Sequence, residues 1–160
     1  MKNDIISLEI TDITPDGFGV GRYENKVVFV ADTAIGDIIS AKILKELKSH
    51  SFAKLEEILT PSKARINPVC PVFSKCGGCS LQHISYSSEL ELKQSFVKQA
   101  FARIGGMDIK VNPTVFGEDT EYRNKVQYPF GRGDKNECIF GYYARRSHRI
   151  VCHERCALQE

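Results

Sequence analysis

A glycine-bearing loop concentrates thiols at a spacing that suits a metal centre. Its cysteines, arranged as C-x5-C-x2-C, are Cys70, Cys76 and Cys79. A C-x2-C step lets two thiolates reach one metal centre from a single turn, and Gly77 and Gly78 let the backbone adopt the dihedral angles of such a turn. Because three ligands from one loop need a fourth from elsewhere, Cys152 and Cys156 are the candidates for closing the site. The loop therefore predicts a metal centre held by thiolates.

The layout of these thiols favours an iron–sulfur cluster over zinc. Zinc sites with four thiolates usually use two C-x2-C-like pairs, whereas three clustered cysteines with a remote fourth are more typical of a [4Fe-4S] cluster. Pro71, directly after the first cysteine of the loop, also favours an iron–sulfur cluster. A disulfide framework is disfavoured because the chain begins without an export signal, which predicts a reducing, cytoplasmic setting.

Other residues near the loop have more ordinary interpretations. Cys138 alternates with Phe140 and Tyr142 along a predicted strand, so we expect it to be a small buried hydrophobe. His83 and His153 lie close to cysteines and could be ligands. We expect them instead to face solvent or to form hydrogen bonds, because histidine more often plays those roles.

The first part of the chain, residues 1–60, predicts a small β-barrel. Short β-rich runs such as KVVFVA are separated by glycine and aspartate turns, of which Gly36–Asp37 is one. Residues 42–59 contain strong helix formers but also alternate with a period of two, and we favour two strands there. The run Gly17–Gly21 lacks the G-x-G-x-x-G spacing of a dinucleotide-binding loop, so we interpret it as a corner of the barrel.

The second part of the chain follows a proline-bracketed linker, TPSKARINP, and predicts one helix and a hairpin. The helix is expected over Ser88–Ile104, where Ser88 and Glu91 form a capping-box pair and two glycines end the pattern. Its apolar face is expected to contain Leu90, Val97, Phe101 and Ile104. Two strands, KVQYPF and CIFGYY, are expected to pair through a turn rich in glycine and aspartate.

Charge is distributed so that any affinity for nucleic acid must come from local patches. The formal net charge of the 160 residues is only +2, which excludes binding by overall charge. On the barrel, Phe18 and Arg22 combine a ring for stacking with a cation for phosphate. Alternation along the strand that leads into the hairpin would place Arg123, Lys125 and Gln127 on one polar face, which predicts a second RNA contact.

Four segments together resemble a known family. They are GFGVGRYENKVVFVADTAIGD, CPVFSKCGGCSLQHISY, YRNKVQYPFG and GYYARRSHRIVCHERCALQ. The first is similar to a TRAM barrel, the second to a cluster loop, and the others to the strand and the segment that complete the site. In combination they resemble the 23S ribosomal RNA (uracil-5-)-methyltransferases, the bacterial enzymes that carry a TRAM domain and a [4Fe-4S] cluster.

That resemblance implies a mixed β and α+β fold. An N-terminal OB-like TRAM β-barrel at residues 1–60 would be followed by an incomplete iron–sulfur central domain at 61–160. The central domain would comprise the cysteine-rich loop, a helix at 88–104 and a β-hairpin. The ligands implied for the cluster are Cys70, Cys76, Cys79 and Cys156. The family pattern has an aspartate where this chain has Cys152.

The same resemblance places the methyl-transfer chemistry outside these residues. S-adenosylmethionine and the nucleophilic cysteine would belong to a Rossmann-like catalytic domain beyond residue 160. No catalytic residue is therefore assigned, and the 160 residues are expected to be inactive alone, since methylation at C5 of uracil needs a covalent thiolate adduct. The expected partner is RNA, ribosomal RNA first, with no membrane association and a monomeric state.

Other functions compatible with the pattern are weighed against this one. A free-standing zinc or iron–sulfur module that binds RNA would need the same loop and barrel but no catalytic domain. A methyltransferase that acts on tRNA uridine would share every motif. An electron-transfer iron–sulfur protein is disfavoured, because a barrel and a basic strand have no evident role in it.

Overall fold

A computed structural model of the protein describes residues 2–159. These residues form two compact units, and each of them is assembled from two separated parts of the chain. The first unit contains the residues up to Ile66 together with His83–Val115, and the second contains Asn67–Gln82 together with the residues from Phe116 onward. The helix that the sequence pattern placed in the central domain thus lies in the same compact unit as the barrel.

A closed five-stranded barrel occupies the first unit, as the sequence predicts. Its strands are β1 (Ile5–Ile13), β2 (Phe18–Tyr23), β3 (Lys26–Ala31), β4 (Ile38–Glu46) and β5 (His50–Thr60). They close in the order β1-β2-β3-β5-β4, and all neighbours are antiparallel except β3 and β5, which run parallel. The two strands favoured over a helix between residues 42 and 59 are therefore confirmed as β4 and β5.

The barrel interior is built by the period-two alternation of its strands. In β1, Ile6, Leu8 and Ile10 point inward, and the residues between them are exposed. The other strands contribute the rest of this core, namely Val28, Val30, Ile39, Ala41, Ile43 and Ala53. Because successive side chains of a strand point to opposite faces, the sequence pattern fixes which residues fill the barrel and which remain outside.

The glycine run of the barrel is a strand rather than a corner over most of its length. Only Gly17 has the left-handed backbone of a turn, with a φ of 84°, and β2 begins directly after it. Gly21 faces the interior, where an added Cβ would lie 2.5 Å from both the Glu9 carbonyl oxygen and Leu8 Cδ1. The glycine is needed there because the adjacent strand β1 passes too close for any side chain.

The substitution Gly21→Ala should therefore destabilise the barrel by about 1–3 kcal/mol, because the added methyl group forces β1 and β2 apart. Urea denaturation followed by circular dichroism would measure the free energy of unfolding. Gly117→Ala is the matched control, because an added Cβ at Gly117 has no atom within 4 Å; its effect should stay below about 0.5 kcal/mol. An equal loss in both variants would contradict the steric explanation.

A buried ion pair fixes the turn before β4 to the segment that follows β5. The Asp37 carboxylate is completely buried and accepts the backbone N–H of Ala34 at 2.6 Å and that of Ser62 at 2.9 Å. The Arg65 guanidinium donates to both carboxylate oxygens of Asp37, from Nε at 2.8 and 3.0 Å and from a terminal nitrogen at 2.7 Å. Burial alone would raise the pKa of Asp37, but the hydrogen bonds from Arg65, Ala34 and Ser62 outweigh it and lower the pKa below its ordinary value.

The helix of the first unit, α1, spans Tyr86–Arg103 and begins earlier than the sequence predicts. Its N-cap is Ser85, whose hydroxyl accepts from the backbone N–H of Ser88 at 3.4 Å, so the predicted capping box of Ser88 with Glu91 is wrong. The reason is that a serine one turn earlier already satisfies the free N–H groups. Only Leu92 of this helix is buried. Much of the apolar face named from the sequence is exposed, at Val97, Phe101 and Ile104.

The second unit has little regular structure. Its strands are β6 (Phe130–Arg132), β7 (Cys138–Phe140), β8 (Tyr142–Tyr143) and β9 (Ile150–Val151). β6 pairs with β7, and β8 pairs with β9, so the predicted hairpin exists but is shorter. Residues 124–129 form no strand. Cys138 is exposed rather than buried, because its strand β7 belongs to a sheet of only two short strands.

Among residues 2–159, no helix combines the length and the apolar content that crossing a membrane requires.

Candidate metal centre

The cysteine-rich loop is held by backbone hydrogen bonds at both ends of a tight turn. The backbone N–H of Cys76 donates to the Val72 carbonyl at 2.8 Å, and that of Gly77 donates to the Tyr143 carbonyl at 2.9 Å. A Cβ at Gly77 would lie 2.7 Å from that same carbonyl oxygen, which explains the glycine. Cys76 forms an isolated antiparallel bridge with Ala144. The loop therefore lies directly against the segment around β8.

Four cysteine side chains line one small cavity in the second unit. They are Cys70, Cys76, Cys79 and Cys156, and the wall between them is completed by Val72, Phe73, Gly78, Gln82, Arg123, Tyr142 and His153. Cys76 and Cys156 are buried, whereas Cys152 is exposed and absent from the cavity wall. The tertiary structure thus brings the remote Cys156 to the three loop cysteines that sequence spacing grouped together.

The electrostatics of the cavity reflect how close the thiols are. The pKa of Cys79 is raised to about 11, chiefly by burial and to a smaller extent by the neighbouring Cys156 and Cys76 thiols, while the Arg123 guanidinium acts in the opposite direction. Cys79 therefore keeps its proton at neutral pH until a positive charge replaces it. A bound metal supplies such a charge, because coordination deprotonates a thiol.

Hydrogen-bond donors already point at two of the sulfur atoms. The backbone N–H of Gly78 lies 3.3 Å from Cys76 Sγ, and the Gln82 side-chain amide lies 3.6 Å from Cys79 Sγ. Arg145 donates to the Cys79 carbonyl at 2.9 Å, and its guanidinium lies 5.2 Å from the centre of the Phe73 ring. Hydrogen bonds of this kind orient metal ligands and stabilise negative charge on sulfur.

The cavity is not arranged as a formed site for either a single metal ion or a cluster. Within residues 2–159, no group of three or more histidine, cysteine, aspartate or glutamate side chains is arranged to hold one metal ion. A tetrahedral zinc ion with bonds of 2.3 Å would hold its sulfurs about 3.8 Å apart, whereas a cluster of several atoms holds its thiolates farther apart. The cavity volume is only about 10 Å³, so the four side chains would have to move outward to bind a cluster.

His153 is a member of this cavity whose environment the sequence does not reveal. Its ring packs against the rings of Tyr128 and Tyr142, with centroids 5.4 and 5.7 Å away. Both ring nitrogens are buried, and neither has a hydrogen-bond partner among the described residues. The prediction of an ordinary solvated or hydrogen-bonded histidine is wrong here, whereas His83 does hydrogen-bond to the Thr33 carbonyl at 3.0 Å, as predicted.

The predicted RNA contacts are distributed over both units. Lys125 and Gln127 are exposed, but Arg123 is half-buried at the cysteine cavity, where its guanidinium lies 3.5 Å from the Tyr142 hydroxyl. The expectation that all three share one strand face is wrong, because no strand forms there. On the barrel, Phe18 and Arg22 lie on the outer face of β2, as alternation with the inward glycines requires.

Barrel aromatic residues form a surface cluster that sequence reasoning missed apart from Phe18. Phe18 lies edge-on to Phe52 at 6.2 Å, and Phe29 lies 5.5 Å from Phe52. His50 lies 5.4 Å from Phe29 and 5.3 Å from Phe52. The parallel pairing of β3 with β5 brings these rings together, and no local pattern could have indicated it.

Comparison with known proteins gives a domain match and several bacterial relatives. Residues 1–55 match the TRAM domain. A protein of Clostridium tetani named as an uncharacterized RNA methyltransferase is 39% identical over 160 residues, which covers 99% of this chain and 35% of the relative. This chain is therefore similar, over nearly its whole length, to a bacterial protein named as an RNA methyltransferase. Two further proteins named as uncharacterized RNA methyltransferases come from Listeria monocytogenes and Staphylococcus aureus. They are 42% and 40% identical over 98% and 99% of the chain.

The curated relatives are much longer than this sequence. The chain spans about a third of the length of the curated relatives that it matches. Among solved structures, the tRNA (uracil-54, C5)-methyltransferase of Pyrococcus abyssi, in complex with S-adenosyl-L-homocysteine, superposes with a TM-score of 0.61. It is 25% identical, and the match covers 94% of this chain and 32% of that one.

Proposed function

We propose that this chain is the RNA-binding and iron–sulfur portion of an S-adenosylmethionine-dependent RNA (uracil-5-)-methyltransferase that forms 5-methyluridine in 23S ribosomal RNA. The observation that carries the proposal is the convergence of Cys156 with three loop cysteines on one cavity. Support for RNA methylation comes from the TRAM match and from the relatives named RNA methyltransferase. Support for uracil C5 comes from the solved structural neighbour.

In this proposal the cluster is a structural element held by Cys70, Cys76, Cys79 and Cys156. Bound at these thiolates, a [4Fe-4S] cluster supplies a covalent tie between the loop and the C-terminal segment. Arg123 contributes a positive charge beside the thiolates, and His153 contributes a ring N–H that can donate to sulfur. Cys152 is left out because its side chain is exposed and lies outside the cavity wall.

RNA recognition is assigned to exposed cations, an amide and rings in both units. Lys125 can neutralise a phosphate and Gln127 can read a base edge, since both side chains are exposed. Phe18 and Arg22 on the barrel surface offer a ring for stacking and a cation for the backbone. Arg123 is half-buried, so only the accessible part of its side chain can contact RNA.

The division of labour in the whole protein is also part of the proposal. Residues 1–60 form the TRAM domain and 61–160 the iron–sulfur domain. S-adenosylmethionine and the reacting cysteine belong to the additional length that the relatives possess. These 160 residues alone are then monomeric and inactive in methyl transfer, and the whole protein works in the reducing cytoplasm, where thiolates persist as cluster ligands.

Deleting the gene that encodes this sequence tests the substrate. Loss of 5-methyluridine from 23S ribosomal RNA, mapped by mass spectrometry of nuclease fragments and restored by the intact gene, is the expected result. Loss from tRNA instead would establish the second candidate, a tRNA uracil-5-methyltransferase, which the Pyrococcus abyssi neighbour favours. Unchanged 5-methyluridine in both RNA classes would contradict the proposed activity.

The metal is tested separately by anaerobic purification of the 160-residue chain. A [4Fe-4S] cluster should give a broad absorbance band in the blue, together with iron and acid-labile sulfide in equal amounts. Colourless protein that contains stoichiometric zinc would refute the iron–sulfur assignment and support a zinc site of the same cysteines.

A further inference from the structure

An open cleft of about 550 Å³ lies within the first unit, between the outer surface of the barrel and the C-terminal half of α1. Its volume falls in the range of small-ligand sites, which is about 300–1,000 Å³. None of the helix residues that line the cleft belongs to the proposed RNA-binding set.

The helix side of the cleft is a single stripe. Phe96, Gln99, Ala100 and Arg103 follow one another at spacings of three, one and three residues, which places them on one face of α1. This face differs from the exposed one that carries Val97 and Phe101. The stripe presents an aromatic ring, an amide and a terminal cation to the barrel.

The barrel side is formed by outward residues of β2 and β3. Val20 and Arg22 alternate with the inward glycines of β2, and Val27 and Phe29 alternate with the buried Val28. Phe29 also belongs to the surface cluster of aromatic rings, because it lies 5.5 Å from Phe52. The cleft therefore continues at one edge into a surface of half-exposed rings.

The charges in the cleft select an anion. Neither Arg22 nor Arg103 forms an ion pair with another residue in the described range 2–159. Asp12 is the single carboxylate among the lining residues, and its Oδ1 accepts the backbone N–H of Ile13 at 2.9 Å. With two arginines and one carboxylate, the cleft carries a net positive charge. Two phenylalanine rings also lie in its wall.

We infer that this cleft binds an unpaired nucleotide of single-stranded RNA, with the base against Phe29 and Phe96 and the adjoining phosphates at Arg22 and Arg103. A nucleotide fits this cleft because its flat base can stack on an aromatic ring and its phosphates can pair with the arginines. The inference rests on the proposed RNA-binding function and locates one of its contact sites.

Fluorescence anisotropy with a labelled oligouridylate tests the site in the 160-residue chain. Arg103→Gln should weaken binding about fivefold and reduce the slope of log affinity against log salt by about one. Phe96→Ala should weaken binding by about fivefold or more, with little change in that slope, because it removes stacking and no charge. A duplex of the same length should compete poorly, since its bases are already stacked.

Lys98→Gln is the matched control, because it removes the same charge from an exposed position of α1 outside the cleft. It should change affinity by less than about twofold. If both cleft variants bind as the Lys98 variant does while the unaltered chain binds RNA, the cleft inference is overturned and the proposed RNA binding stands. If the unaltered chain binds no RNA, the proposed RNA-binding function fails together with the inference.

Discussion

Replacing Cys156 by serine should yield anaerobically purified protein without the visible absorbance and without most of the iron of an iron–sulfur cluster. Cys156 is buried and lines the cavity with the three loop cysteines, although it lies 77 residues beyond Cys79 in the chain. In the proposed site, Cys156 is the one ligand that comes from the C-terminal segment. The remaining thiols come from one loop, which cannot complete four-fold coordination.

Cys152→Ser is the matched control for this experiment. The two cysteines are four positions apart in one segment, but Cys152 is exposed and outside the cavity wall. The control should keep its absorbance and its iron. Cluster loss in the Cys152 variant with retention in the Cys156 variant would reverse the ligand assignment that we propose.

Removing the Asp37 carboxylate should cost the barrel unit about 3–5 kcal/mol of unfolding free energy, because Asp37→Ala leaves the Arg65 charge without its buried partner. The side chain of Asp37 is fully buried and that of Arg65 is 17% exposed, so water can replace little of what is lost. Two backbone N–H groups, those of Ala34 and Ser62, lose their acceptor as well. Urea denaturation followed by circular dichroism measures the change.

An exposed ion pair on the same barrel provides the control. Glu56→Gln removes the partner of Lys54, whose side chain is 64% exposed, and should change stability by less than about 1 kcal/mol. Comparable losses from Glu56→Gln and Asp37→Ala would show that burial of the Asp37 pair is not what stabilises the turn.

The free energy of unfolding should depend on pH through the titration of Asp37. Its pKa in the folded protein lies below the ordinary value of 3.8, so the unfolded chain binds a proton at a higher pH than the folded one does. The stabilisation is then fully present above pH 3.8 and is lost as the pH falls through the lowered pKa. In Asp37→Ala this acid-dependent loss should be smaller; an identical acid profile would contradict the linkage.

Elements with a regular period could be predicted from the sequence, whereas irregular ones could not. Alternation predicts the barrel strands because one face must be buried, and the structure agrees. The second unit lacks an extensive sheet, so alternation around Lys125 and Cys138 carries no information about burial there. The start of α1 was misplaced because Ser85 and Ser88 are both acceptable caps, and only the path of the chain selects between them.

Strand alternation, the helix, and the spacing that groups Cys70, Cys76 and Cys79 depend on neighbours along the chain, so they follow from the sequence alone. The fold of the whole chain selects the contacts between distant segments. It brought Cys156 rather than Cys152 to the loop and Arg65 to Asp37. It also set α1 beside the barrel to form the cleft. The physical reason is that local patterns reflect backbone geometry and burial of one face, whereas partners far apart in sequence are selected by how the whole chain packs.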